Sequence, residues 1–278
     1  MMDKFLITSA EGDRYHAAQA LAQEVRAFLL EQNKIAHFST DLGTYAANPD
    51  FIIAVGGDGT IMRAMKKYEA PVFGIRADVE DSLGFLAAAD YTNWQNSLNK
   101  ALSGEYDVEG RMALDFTWRG KTFGPIINEV SVRHEEYPVY FKVKINHEVW
   151  SPKLWTRGLL VATSTGAFAE NFSSGGHPLA RLSEDVALTT INPQRPVMIP
   201  YPFPEIGLGG SIEIEFLPGK YDGMVVDVKC DGRKYTIDGD SVHPGESIVI
   251  RKHPKRLLLA TFGLKQHMDA MRRKGFPI

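Results

Sequence analysis

Apolar residues in the first third of the chain fall alternately into short continuous runs and into helical spacing. Phe5 to Thr8 reads as a strand. Asp13 to Gln32 reads as a helix, because Ala18, Leu21, Val25, Phe28 and Leu29 recur on one face. Ile35 to Ser39 and Phe51 to Val55 are expected as further strands. The second is apolar throughout, as a strand covered on both faces requires. The spacing predicts a helix over Thr60 to Tyr68 and a strand at Pro71 to Ile75. Another helix is expected through Trp94, Leu98, Ala101 and Leu102, with Asp90 or Thr92 as its N-cap. Strand and helix in alternation imply a parallel α/β layer.

Beyond about residue 106 the period changes to two. Met112, Leu114, Phe116 and Trp118 alternate with other residues, as do Val139, Phe141, Val143 and Ile145, then Ile212, Ile214 and Phe216, and Val226, Val228 and Cys230. That is the pattern of half-buried antiparallel sheet. Asn146-His147 and Asp231-Gly232 stand where hairpin turns are needed, and Asp-Gly supplies the positive φ of a tight turn. Leu257 to Gly263 and Lys265 to Lys274 read as a strand and an amphipathic helix. The expected organisation is an α/β domain over 1–107, a β-rich domain over 108–256, and a terminal segment, 257–278, packing back on the first.

The 278 residues are 44% hydrophobic and 23% charged, with 31 basic against 34 acidic side chains and a net charge of -3. This length accommodates two domains with their own cores. Near-balanced charge argues against a chain whose task is to neutralise nucleic acid or anionic lipid. Cys230 is the only cysteine, which rules out an internal disulfide and a thiolate zinc site and fits a reducing cytoplasm. The apolar runs are too short to span a membrane, and Phe5 to Ala10 is too short for a signal sequence. None of the histidines pairs at i, i+4 with an acidic residue on a helical segment, so no metal site is expected in the protein itself.

Candidate chemistry begins where Phe51 to Val55 runs into Gly56-Gly57-Asp58-Gly59-Thr60. A glycine turn between strand and helix lets backbone N–H groups approach a polyphosphate at the positive end of the helix dipole. Neither the dinucleotide G-x-G-x-x-G nor the P-loop pattern is present. Taken alone, such a pentapeptide is equally an ordinary tight turn.

In its context the pentapeptide resembles the nucleotide-phosphate loop of a kinase superfamily that includes the NAD kinases, the lipid kinases and, more distantly, the phosphofructokinases. Later segments resemble the NAD kinase family in particular. These are Pro71-Val72-Phe73-Gly74-Ile75 followed by Leu83-Gly84-Phe85-Leu86, then Ile127-Asn128-Glu129-Val130, and then Thr163-Ser164-Thr165-Gly166 leading to Gly175-Gly176. Arg195-Pro196 and Asp231-Gly232 complete the series. The resemblance implies a parallel α/β domain followed by an antiparallel, sandwich-like β domain. It implies transfer of the ATP γ-phosphoryl group to the 2′-hydroxyl of the adenosine ribose of NAD, giving NADP, with Mg2+ or another divalent cation accompanying ATP.

By that resemblance, Gly56, Gly57, Gly59 and Thr60 hold phosphates through their amides and the threonine hydroxyl. Asp58 is assigned as the group that takes the hydroxyl proton, with Mg2+ binding as its competing role. Asn128, Glu129, Thr163, Thr165, Arg157 and Ala169 are assigned to NAD. The family also implies a homo-oligomer, a dimer or tetramer.

The chain departs from the family at Arg157, where aspartate is usual on the nicotinamide side, at Phe168 and Glu170, at Ser164, and at Arg76. Two further readings therefore stand beside the kinase. A lipid kinase requires an apolar acceptor groove. A non-catalytic nucleotide-binding paralogue requires NAD or NADP affinity without turnover.

Overall fold

The structure, a computed structural model, describes residues 2–10, 12, 15–42, 48–77, 84–194, 200–203, 209–219 and 223–276. The expected helix start at Asp13 and the motif positions Leu83, Arg195 and Pro196 lie outside them. The chain divides into two compact units, Met1–Gly110 with Leu257–Ile278, and Arg111–Arg256.

The first unit opens with β1 (Lys4–Ser9), α1 (His16–Glu31), β2 (Ile35–Phe38), β3 (Phe51–Val55), α2 (Asp58–Lys67) and β4 (Val72–Arg76). The short β5 (Ala89–Asp90), α3 (Trp94–Leu102) and β6 (Asp107–Arg111) follow. Every residue of β3 and β4 is buried, and β1, β2, β3 and β4 pair in parallel. Continuous apolar runs were therefore the right signature of a sheet covered on both faces. The apolar stripe of α1 packs Leu21, Val25 and Leu29 against Phe5, Ile7 and Ile53. Full burial of each such side chain contributes about 1.5–3 kcal/mol.

The β-rich unit carries β7 (Leu114–Trp118), β8 (Lys121–Ile126), β9 (Glu129–Arg133), β10 (Val139–Ile145), β11 (Glu148–Thr156) and β12 (Gly158–Ala162). After the short α4 (Glu170–Ser173) come β13 (Val186–Ile191), β14 (Pro200–Phe203), β15 (Ile212–Leu217), β16 (Asp227–Cys230), β17 (Arg233–Tyr235) and β18 (Ser247–Lys252). Among the described residues they form two antiparallel sheets, ordered β11-β10-β15-β18-β7-β8 and β14-β13-β12-β9-β16-β17. Phe116, Phe141 and Phe216 of one sheet share a core with Val130, Leu159 and Leu188 of the other. Both predicted hairpin turns form, with positive φ at Asn146, His147, Asp231 and Gly232.

The chain ends with β19 (Leu257–Thr261) and α5 (Leu264–Arg273). β19 inserts between β4 and β6 and pairs with β4 in parallel. No helix among the described residues is long and apolar enough to cross a membrane.

Two helix starts differ from the pattern-based expectation. Helix α2 begins at Asp58 rather than Thr60, with Gly57 as an extended N-cap. Glycine has poor propensity for a helix interior but is tolerated at the N-cap and in the first turn, where an acidic residue also complements the dipole. In α3 the N-cap is Asn93, not Asp90 or Thr92. Asp90 instead accepts the Thr92 N–H at 3.0 Å in a local turn.

Candidate functional site

In the first unit the glycine turn leaves β3 at Gly56, whose φ of +150° lies outside the range comfortable for other residues. A Cβ there would sit 2.7 Å from the Thr60 hydroxyl. The Gly56 N–H donates to the Ile75 carbonyl at 2.8 Å, and the Thr60 N–H donates to the Gly57 carbonyl at 3.0 Å. The expectation that both amides face a ligand is thereby corrected, because one extends the sheet ladder and the other closes the first helical turn. Among the described residues no acceptor takes the N–H of Gly57, Asp58 or Gly59. These are the orphan donors of a helix N-terminus.

Asp58 projects from this first turn and its carboxylate accepts two backbone N–H groups, from Phe85 at 3.0 Å and Leu86 at 2.8 Å. The segment that supplies them is fastened from behind by α5. Gln266 Nε2 donates to the Ala87 carbonyl at 2.9 Å, and Arg273 Nη2 donates to the Gly84 carbonyl at 3.0 Å. The Lys274 ammonium lies 4.9 Å from the centre of the Phe85 ring. Burial holds Lys274 below the usual lysine value, and the Asp58 carboxylate pulls against that shift. Arg273 and Lys274 read in sequence as a helix-end charge cluster. Their place beside Asp58 follows from the return of β19 to this sheet and leaves no local signal.

In the β-rich unit the β16–β17 turn anchors the segment before β9. The Asp231 carboxylate accepts the N–H of Ile127 at 3.0 Å and of Asn128 at 2.7 Å. The Asn128 carbonyl in turn accepts the Thr163 N–H at 2.9 Å. Gly166 packs so tightly on Asn128 that a Cβ would lie 2.0 Å from its carbonyl oxygen. Asn128 is half-buried, while Glu129 is 4% exposed.

The two threonines of this loop play different parts. Thr163 donates its hydroxyl to the Ile127 carbonyl and accepts the N–H groups of Thr165 and Gly166, both at 3.1 Å. Its hydroxyl is fully engaged inside the protein, which corrects its assignment as a ligand-facing group. The Thr165 hydroxyl is buried and has no hydrogen-bond partner among the described residues. Ala169 caps the 3₁₀ turn Gly166–Phe168 and is half-buried.

The structure therefore gathers Asn128, Glu129, Thr163 and Thr165, and adds Asp231, which the sequence marks as a hairpin-turn and motif residue. It does not bring Arg157 to them. β12 pairs Gly158 with Arg133 and Ala162 with Glu129, so Arg157 lies just beyond the far end of the strand, five residues or about 16 Å from Ala162. Its Nε is buried without a partner among the described residues.

The unusual Glu170 also finds its explanation at that end. Both its oxygens accept from the Arg133 guanidinium, which also donates to the Ser131 hydroxyl. Burial works against the Arg133 charge, yet the paired bonds to Glu170 carry its pKa above the usual arginine value.

Comparison with known proteins agrees in extent with this geometry. A family model described as ATP-NAD kinase N-terminal domain matches residues 7–106. The NAD kinase of Tolumonas auensis is 30% identical over 263 residues, covering 84% of this chain and 83% of that protein. The NAD kinase of Cellvibrio japonicus is 26% identical over 263 residues, covering 86% and 82%. Among solved structures, yeast NADH kinase complexed with NADH superposes with a TM-score of 0.84 at 15% identity, covering 99% of this chain and 88% of that one. An NAD kinase from Archaeoglobus fulgidus in complex with ATP gives 0.71 at 21% identity, covering 97% and 98%. At these identities the two superpositions establish the fold.

Proposed function

The chain belongs to the NAD kinase family, and from that premise we propose that it transfers the γ-phosphoryl group of ATP to the 2′-hydroxyl of the adenosine ribose of NAD, giving NADP. The observation that carries the reading is the glycine turn, where three N–H groups without an acceptor among the described residues flank in sequence a carboxylate fixed by two other amides. Phosphoryl transfer has a loose transition state, so it asks mainly for positioning and charge neutralisation.

In this reading the N–H groups of Gly57, Asp58 and Gly59 hold phosphate oxygens, while Gly56 and Thr60 shape the turn. The ribose oxygen bonds to the γ-phosphorus as the bond to ADP breaks, and its proton passes to Asp58. The amides of Phe85 and Leu86 orient that carboxylate. General-base assistance of this kind is worth about 10²–10⁴ in rate. Mg2+ accompanying ATP supplies charge neutralisation. Asp58, a hard oxygen donor, would hold the ion only in competition with its role as proton acceptor, and no cluster of three ligating side chains exists among the described residues.

In the β-rich unit we assign the adenosine half of NAD to the Asn128 amide, the Glu129 carboxylate, the Thr165 hydroxyl and the Ala169 turn. Thr163 and Asp231 position them. Arg157 is assigned to the remainder of the dinucleotide.

We further propose a cytoplasmic homo-oligomer, a dimer or tetramer, acting on small nucleotides rather than nucleic acid or membrane. Exposed Tyr137, Val149, Trp150 and Trp155 on the β-rich unit support self-association. Light scattering on the pure protein reads the mass directly. A coupled assay with ATP, Mg2+ and NAD tests the activity. No NADP above an Asp58→Asn control, with NAD affinity intact, would replace the kinase by a non-catalytic nucleotide binder.

A further inference from the structure

A cavity of about 340 Å³ in the first unit opens between α3 and α5. Lys265, Gln266, Asp269 and Arg273 face it from α5, at positions i, i+1, i+4 and i+8 of one helical stripe. Asn93, Ser97 and Lys100 face it from the N-cap and body of α3, at i, i+4 and i+7. Arg76, Ala87, Ala88 and Ala89 also line it. None of these residues touches the reacting groups described above, although Gln266 and Arg273 also fasten the segment whose amides orient Asp58.

The described lining carries four cationic side chains, Arg76, Lys100, Lys265 and Arg273, against two carboxylates. Both carboxylates already face cations, Asp90 with Arg76 at 3.6 Å and Asp269 with Arg272 at 3.0 Å. Lys100 and Lys265 make no ion pair among the described residues. The Ser97 hydroxyl makes no hydrogen bond there either. Burial and then the neighbouring Arg76 guanidinium hold Arg273 below the usual arginine value, with Asp269, Asp58 and Asp90 pulling the other way. A concave surface of one sign focuses potential on a counter-ion, and a guanidinium with two ammonium groups suits phosphate oxygens.

We propose that the α3–α5 cleft is a binding site for a small phosphorylated metabolite. Its volume lies at the low end of the roughly 300–1,000 Å³ typical of small-molecule sites, which fits a phosphomonoester of mononucleotide size or smaller rather than a dinucleotide. A phosphomonoester carries about two negative charges near pH 7, matching the two lysines without ion pairs. The ligand is held by Arg273, Lys100 and Lys265, with Ser97 bonding its neutral part. The site adjoins the segment that holds Asp58, because Arg273 and Gln266 bond the carbonyls of Gly84 and Ala87.

Titration calorimetry of the full-length protein with pyrophosphate tests this. Lys100 and Lys265 are exposed, so the double variant Lys100→Ser, Lys265→Ser retains the helices. Relative to wild type, it is expected to lose one pyrophosphate site or weaken it at least tenfold, with ATP affinity unchanged. A control with the same charge loss elsewhere, Lys153→Ser with Lys255→Ser, is expected to bind as wild type does. Equal isotherms for wild type and the cleft variant overturn the proposal, as does an equal loss in the control. The outcome is independent of the kinase reading, since a protein that forms no NADP still reports the cleft by calorimetry.

Discussion

The carboxylate of Asp231 receives the backbone N–H of Asn128 at 2.7 Å, although 103 residues separate the two. Its second oxygen receives the N–H of Ile127. One hairpin turn thus fixes the backbone that carries the proposed adenosine-binding pair. Asp231→Ala strands two donors, each costing about 1–3 kcal/mol when buried and unpaired. The expected result is a lower Tm, by about 2–4 °C for each kcal/mol, together with a raised KM for NAD. Thermal unfolding and steady-state kinetics read the two separately. An unchanged KM would show that Asn128 does not depend on this anchor.

Gly166→Ala tests the neighbouring contact. The new methyl would lie 2.0 Å from the Asn128 carbonyl oxygen, and both segments are tied to Thr163. Overpacking of this kind costs about 1–3 kcal/mol. NAD binding measured by calorimetry is expected to weaken at least tenfold. A Gly175→Ala control meets no atom within 4 Å but has a positive φ, so it reports backbone strain without this clash. Equal NAD affinity in the two variants would remove Gly166 from the argument.

Asp58→Asn keeps the shape of the turn and one carbonyl acceptor for the amides of Phe85 and Leu86. Loss of the proton acceptor is expected to lower kcat by about 10²–10⁴, with little change in KM for NAD. A fall in KM affinity with kcat retained would instead assign Asp58 to binding.

Glu246 accepts from Arg119 Nε at 2.5 Å and Nη2 at 2.9 Å. The Arg119 bond, opposed by partial burial, holds its carboxyl below the usual glutamate value. A depressed folded pKa contributes stability that is complete above the unfolded pKa, near 4.3, and is lost as the pH falls through the folded value. Glu246→Gln is therefore expected to lower Tm at pH 7, with the gap to wild type closing as the pH falls towards 3. A gap that stays constant across that range would show that this ionisation does not support the fold.

Local pattern carried much of the architecture. The runs at Phe51 to Val55 and the alternation through Phe116, Phe141 and Phe216 announced a covered parallel sheet and a two-faced antiparallel one, because burial of alternate or consecutive side chains is a local property of a strand. The turns at Asn146 and Asp231 were equally local, since positive φ favours few residue types. The helix start at Asp58 was not, because glycine's low propensity masked a turn that a helix N-terminus accommodates.

Residue types at the proposed site were legible, while their duties were not. Gly56, Thr60 and Thr163 carry the expected groups, yet the structure spends the first two amides and the third hydroxyl internally. Hydrogen-bond accounting needs every partner in place, and those partners, Ile75, Gly57 and Ile127, are set by strand pairing and turn closure. The sequence by itself determined the fold class, the family and the chemical groups available, since these follow from periodicity and short motifs. Only the tertiary structure decided that Asp231 anchors Asn128, that α5 returns Arg273 and Lys274 to Asp58, and that Glu170 answers Arg133. Each joins segments far apart in the chain, and such contacts are fixed by packing and strand order rather than by any local propensity.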